Sequence, residues 1–152
     1  MRISEKGIDI IKKHEGYRSN AYLCPAGVWT IGWGNTFYSD GTKVKEGDFI
    51  YTRDANQLLM NIINQFEIKA KELVEVDLQQ HQWDAIISFI YNIGIGNFRR
   101  STLLKKLNEN PNDPTIIHEF LRWNKAGGKI LKGLKKRKNQ EAYLFNGETS
   151  WK

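Results

Sequence analysis

The sequence predicts an α+β fold: one N-terminal helix, a small antiparallel β-sheet, then a mostly helical remainder. Three observations carry this. Ile8, Ile11 and Glu15 fall at i, i+3 and i+7 and share one helical face. Residues 21–44 then change character, being dense in Trp, Tyr, Thr, Ile and Val and punctuated by Gly. After Gly47 helical spacing returns, with Ala55, Leu58, Leu59, Ile62, Ile63, Phe66, Ala70 and Leu73 on one long amphipathic helix.

The first helix is expected over about residues 4–15, with Ser4 as N-cap and Gly16 as its stop. Glu15 thus closes an apolar stripe and faces the protein. Pro25-Ala26-Gly27 reads as a turn between strands at residues 21–24 and 28–33. Ser39-Asp40-Gly41 reads as a second turn, leading to a third strand at residues 42–44. A helix beginning near Asp77 is apolar on nearly every side from Ala85 to Tyr91, as befits the centre of a core. Gly94-Ile95-Gly96-Asn97 reads as a loop, followed by helices over about residues 101–107 and 114–123. Asp113 and Pro114 suit cap and N1 of the latter. Residues 125–133 read as a Gly- and Lys-rich loop before a last helix ending near Phe145. The expected organisation is one domain over residues 1–152: a β lobe at about 16–50, a helical lobe of 1–15 and 51–152, and a cleft between them.

Composition narrows the function. At 152 residues the chain can bury a core without staples. Its single cysteine, Cys24, excludes an intramolecular disulfide and any multi-cysteine metal site. His14, His81 and His118 are isolated and show no ligand spacing, so no metal is expected. No apolar run approaches a membrane span, and the first residues lack a signal-peptide core. The expectation is synthesis in the cytoplasm without stable membrane insertion. The net charge is +6, with Lys125, Lys129, Lys132, Lys135, Lys136, Arg137 and Lys138 clustered near the C-terminus. Such a surface attracts an anionic partner; nucleic acid, anionic lipid and cell-wall polymer all qualify.

The informative stretch runs from Glu15 to Thr36. Glu15 precedes the hairpin, Cys24 ends its first strand, and Thr30 lies on its second. Residues 22, 24, 28 and 30 share parity and could share one face. A carboxyl, a thiol and a hydroxyl thereby meet at one rim. Eight residues separate Glu15 from Cys24, and five separate Cys24 from Thr30, ahead of Ile31-Gly32-Trp33-Gly34. This pattern resembles the phage-type lysozymes of glycoside hydrolase family 24. Residues 83–94, 96–104, and Arg122-Trp123, Ala126-Gly127-Gly128, Gly133-Leu134 and Arg137 resemble the family's later motifs in the same order.

The resemblance implies a lysozyme-like fold and an endolysin, a hydrolase of the β-1,4 bond between N-acetylmuramic acid and N-acetylglucosamine in peptidoglycan. It needs no cofactor and is by default a monomer. It would reach the wall of the host cell when a separate holin opens the membrane. Glu15 would protonate the glycosidic oxygen, its burial helping it keep a proton. Cys24 would act on the other sugar face as base, nucleophile or holder of water, where many relatives carry Asp. Thr30 would position that water. Arg137 would support Glu15, while Tyr91, Asn92 and Ser101 would contact sugars and Gly32 and Gly34 would let the backbone approach the glycan. Asn35 stands where many relatives have a His in a structural ion pair.

Blander readings exist for each residue. Glu15 could be a helix-end carboxylate, Cys24 a small apolar filler and Thr30 an ordinary strand residue. Arg137 could be a solvated charge, and Tyr91 and Asn92 could be packing. Trp29, Trp33, Trp83 and Trp123 read as core rather than sugar platforms. The competing class is a nucleic-acid-binding module, resting on the basic run with Trp123 and Tyr143, but no helix-turn-helix, zinc-finger or RNP motif accompanies it. A catalytically dead wall-binding protein is a third reading.

Overall fold

The computed structural model describes residues 1–126 and 128–148. Gly127, within the expected Gly-rich loop and the Ala126-Gly127-Gly128 motif, lies outside the described residues. The elements in chain order are α1 (Glu5–Glu15), β1 (Arg18–Leu23), β2 (Trp29–Gly32), α2 (Thr52–Leu73), α3 (Gln80–Ile93), α4 (Ile95–Arg99), α5 (Thr102–Glu109), α6 (Ile116–Leu121), β3 (Lys125–Ala126), β4 (Lys129–Ile130) and α7 (Lys132–Phe145). The expected α+β plan is the one observed. The chain forms two compact units, one of Met1–Ile11 with the chain from Phe66 onward, the other of Lys12–Gln65. The boundaries fall inside α1 and α2 rather than in the loops beside them.

The larger unit is built round α3. Ala85, Ile86, Ile87, Phe89 and Ile90 are all fully buried, as an all-round apolar helix must be. The Phe89 ring meets those of Phe98, Phe120 and Trp123 edge-on, with centroids 5.2–6.4 Å apart. The helix begins at Gln80 rather than near Asp77, because Gln79 and Gln82 form a capping box that satisfies two orphan N–H groups reciprocally. The expected loop after Gly94 is instead the short helix α4. Gly94, at φ 85°, ends α3, and the chain turns at once into a helix that buries Phe98. α6 starts at Ile116, later than expected. The Asp113 carboxylate accepts from the N–H and hydroxyl of Thr115 (2.8 and 2.7 Å), holding Pro114 in a turn. Lys125↔Ile130 and Ala126↔Lys129 pair as a small hairpin where a loop was expected.

Buried acidic groups, among them Asp84, Glu67 and Glu141, bind this unit together. Asp84 accepts from the N–H and hydroxyl of Ser4. Glu67 accepts from the Ile3 N–H and the Trp83 indole, both at 2.8 Å. Glu141 is fully buried and takes Lys138 Nζ at 2.8 Å, Arg137 Nε at 3.2 Å and the Ser88 hydroxyl at 2.5 Å. The basic run near the C-terminus is therefore not wholly a solvated face, since Arg137 and Lys138 are both buried.

In the smaller unit β1 and β2 pair antiparallel, with Tyr22 opposite Thr30 and Leu23 opposite Trp29. The expected third strand at residues 42–44 is reduced to one bridge, Phe37↔Lys43. The Lys45 N–H then turns to the Asp48 carboxylate (3.0 Å), ending the pairing. Residues 48–50 pair with β1 instead, through Asn20↔Phe49. Ile10 and Ile11 are the buried isoleucines of α1, while Ile8 is only half-buried. Among the described residues no helix is long and apolar enough to cross a membrane.

Burial alone would raise the pKa of Glu141, but Lys138 and Arg137 outweigh it and hold the carboxyl below the usual carboxylate range. A depressed folded-state pKa contributes stability above the unfolded range, which is lost as pH falls through the folded value. Glu141→Gln should therefore cost about 3–5 kcal/mol at neutral pH by leaving two cations buried. Its deficit should shrink on acidification, and urea melts at neutral and acid pH check both.

Candidate active site

The smaller unit brings Glu15, Cys24 and Thr30 into one local structure. Glu15 is the last residue of α1, and the Gly16 N–H closes the helix on the Lys12 carbonyl at 2.9 Å. Its half-buried side chain lies on a tight turn after β2. Ile31 and Asn35 exchange backbone hydrogen bonds of 2.8 and 2.9 Å, folding residues 32–34 into a hairpin. Gly34, at φ 78°, sits directly beneath the Glu15 carboxyl. A Cβ on Gly34 would lie 2.7 Å from the carboxyl carbon and closer still to Oε1. No other residue fits without moving Glu15.

Trp33 anchors this turn. Its indole N–H donates to Asn56 Oδ1 of α2 at 2.9 Å, the Lys12 ammonium stands 5.1 Å from its ring centre, and Tyr17 packs on it at 5.6 Å. The Tyr17 hydroxyl in turn donates to the Ile50 carbonyl at 2.8 Å. Gly32 faces Ala55, whose Cβ would be 3.4 Å from an added Cβ. Both glycines thus have packing reasons within the protein. Asn35 is buried at the base of the turn.

Cys24 opens the turn of the β1–β2 hairpin. Its N–H donates to the Val28 carbonyl at 3.0 Å, and its carbonyl accepts from Gly27 N–H at 2.8 Å. The thiol is half-buried. Burial pushes its pKa up, but hydrogen bonds from the backbone of Val28 and Ala26 and from the Thr30 side chain prevail, leaving it below the usual thiol value. The Thr30 hydroxyl, itself buried, donates to the Val28 carbonyl at 2.9 Å. Its single proton can serve that carbonyl or the sulfur, but not both at once.

Tyr22 joins this group although only its parity with Cys24 and Thr30 hinted at it. It lies opposite Thr30, and the Arg18 guanidinium covers its ring at 4.7 Å. Burial and the negative charges of Glu15 and Cys24 raise its pKa against the pull of Arg18.

The other predicted site residues belong to the larger unit. Arg137 Nη2 donates to the Ser88 carbonyl at 3.1 Å, adding to its bond with Glu141. Tyr91 is half-buried with its ring edge-on to Phe66 at 6.1 Å, and Asn92 is half-buried. Ser101 caps α5: its hydroxyl accepts from Leu104 N–H at 3.1 Å and donates to the Phe98 carbonyl at 2.7 Å. Both capacities of that hydroxyl already serve the helix end. Trp83 is buried, while Trp29, Trp33 and Trp123 are half-buried. Among the described residues no cluster of three His, Cys, Asp or Glu could hold a metal ion.

The phage lysozyme family model matches residues 12–141, which include Glu15, Cys24, Thr30 and Arg137. The chain belongs to the phage lysozyme family. It is 41% identical to an endolysin of Bacillus phage B103, over 95% of this chain and 54% of that relative. The chain thus spans about half the length of that relative. A solved endolysin from Escherichia coli O157:H7 phage FAHEc1 superposes with a TM-score of 0.84 at 35% identity, covering 95% of this chain and 93% of that one. The muramidase domain of SpmX from Asticaccaulis excentricus superposes with a TM-score of 0.81 at 32% identity, covering 95% and 97%. These likenesses place the small sheet and helices in the phage lysozyme fold.

The thiol's environment can be titrated directly. Alkylation of Cys24, followed by mass spectrometry across pH, should give an apparent pKa below that of a free thiol. Thr30→Val removes one bond that lowers it, so its curve should move to higher pH. A curve at or above the free-thiol value in the parent would contradict the geometry.

Proposed function

We propose that the protein is an endolysin: a lysozyme that hydrolyses the β-1,4 bond between N-acetylmuramic acid and N-acetylglucosamine in the host's cell wall. The observation that carries this reading is a carboxyl seated over Gly34 in the same small unit as a half-buried thiol whose turn lowers its pKa. Family membership and the muramidase name of a structural relative support the substrate class. We take residues 1–152 as one lysozyme-like domain that works as a monomer, with peptidoglycan as its partner. The basic run that favoured nucleic acid loses two of its seven cations, Arg137 and Lys138, to burial with Glu141.

Glu15 gives its proton to the glycosidic oxygen as that bond breaks and positive charge grows on the sugar ring. A water oriented by Thr30 and Cys24 adds to the anomeric carbon from the opposite face, and its proton passes to the Cys24 thiolate. The product configuration is inverted. Return of the Cys24 proton to Glu15 through solvent completes the turnover. Arg137 is held by Glu141 and the Ser88 carbonyl. Tyr91 and Asn92 are the remaining candidates for contact with the sugar.

Clearing of permeabilised Gram-negative cells tests the assignment. Glu15→Gln should lower the rate by roughly 10²–10⁴-fold. Cys24→Ala should lose most activity, whereas Cys24→Asp should keep a substantial part with its basic limb moved to lower pH. Full activity after Cys24→Ala or complete alkylation would remove the thiol from the mechanism. Gly34→Ala should cost about 10²-fold by shifting Glu15, a displacement visible by crystallography.

A further inference from the structure

Two aromatic side chains of the smaller unit are left in solvent. Phe49 is 53% exposed and Tyr51 68%. Their rings meet edge to face, with centroids 4.9 Å apart. Residues 48–50 run along β1 as an extra strand, with Ala21 N–H on the Asp48 carbonyl (2.9 Å) and Ile50 N–H on the Ser19 carbonyl (2.8 Å). Ile50 turns into the core, so strand alternation throws its two neighbours outward. Tyr51 is fixed at the head of α2, where its carbonyl accepts from the Ala55 N–H at 2.8 Å. The aromatic pair therefore sits on rigid backbone rather than on a loop tip.

We propose that Phe49 and Tyr51, with Asn20 paired opposite Phe49, form a sugar-stacking subsite that holds the glycan strand away from the bond being cut. This rests on the glycan-cleaving reading above. Asn20 and Phe49 are cross-strand partners, which places their side chains on one face. An aromatic face for the C–H side of a pyranose beside an amide for its hydroxyl or acetamido group is the chemistry of sugar recognition. The geometry suits a polymer. Asn20 lies on β1 and Cys24 just past its end, four residues on, a separation of at most about 13 Å at roughly 3.3 Å per residue. That distance is beyond the ring at the thiol but within reach of the same strand.

The occupant follows from charge and area. Over residues 45–54, Lys45 and Arg53 are offset by Glu46, Asp48 and Asp54, so no cationic patch invites an anionic membrane. Two half-exposed rings offer on the order of 200 Å², far below the ~800 Å² per partner of a stable protein interface. A neutral sugar ring of a larger polymer matches that footprint.

Binding in the non-cleaving Glu15→Gln protein tests the proposal, using NMR titration with N-acetylglucosamine tetramer and with long soluble glycan strands. Exposed Phe49→Ser with Tyr51→Ser should weaken the long strand about tenfold and leave the tetramer's affinity unchanged, with the thermal melt of the parent retained. Phe49→Tyr with Tyr51→Phe should restore long-strand binding. Equal long-strand affinity in parent and double variant would overturn the subsite while leaving the lysozyme reading intact. Failure of the Glu15→Gln protein to bind any glycan would instead overturn that reading. Loss on double substitution of a dimer in sedimentation, or of binding to phosphatidylglycerol vesicles, would reassign the pair and refute the proposal.

Discussion

The seat of the Glu15 carboxyl on the bare Cα of Gly34 is the contact on which the site depends. A carboxyl at a helix end is ordinarily free to sample several rotamers. Here a hairpin turn rises beneath it, and the bare Cα of Gly34 leaves the space the carboxyl occupies. The turn holds its height through the paired Ile31 and Asn35 backbones and through Trp33, which is pinned by Asn56, Lys12 and Tyr17. Preorganisation of this kind is what a general acid requires, since a misplaced proton donor forfeits much of its effect.

The second chemical group is prepared differently. Cys24 receives hydrogen bonds from its own turn, so the short Pro25-Ala26-Gly27 connection both reverses the chain and stabilises a thiolate. Thr30, whose hydroxyl donates to the Val28 carbonyl, is among the groups that lower the thiol's pKa. Backbone geometry thus does for Cys24 what side-chain packing does for Glu15.

The larger unit solves another problem, the burial of charge. Desolvating Arg137, Lys138 and Glu141 together costs several kcal/mol per ion and is offset only by tight mutual bonding. The Ser88 hydroxyl and carbonyl complete that bonding from α3. The outcome is a guanidinium of fixed orientation at the one position of the basic run that the resemblance marks out. Phe49 and Tyr51 show the opposite economy, leaving apolar surface in water where burial was available to their neighbour Ile50.

The opening helix, the hairpin after it, the all-round apolar α3, and the Glu15, Cys24, Thr30 spacing were all legible in the chain, because each is set by local periodicity or by contiguous residues. Legibility stopped where two distant segments compete for one group. Gln79 with Gln82, rather than Asp77, starts α3, and Asp113 holds a turn instead of capping a helix at Pro114, because the hydrogen-bond partner chosen depends on the packed neighbours. The basic run read as solvated until Glu141 and Ser88 drew two of its members inside. Gly34 was read as making room for a ligand, but tertiary packing shows it making room for Glu15. By itself the sequence determined which chemical groups exist and on which elements they lie. Only the folded chain decided which of them touch, since contacts between residues far apart in sequence are settled by competition for buried space and hydrogen bonds, which no local pattern records.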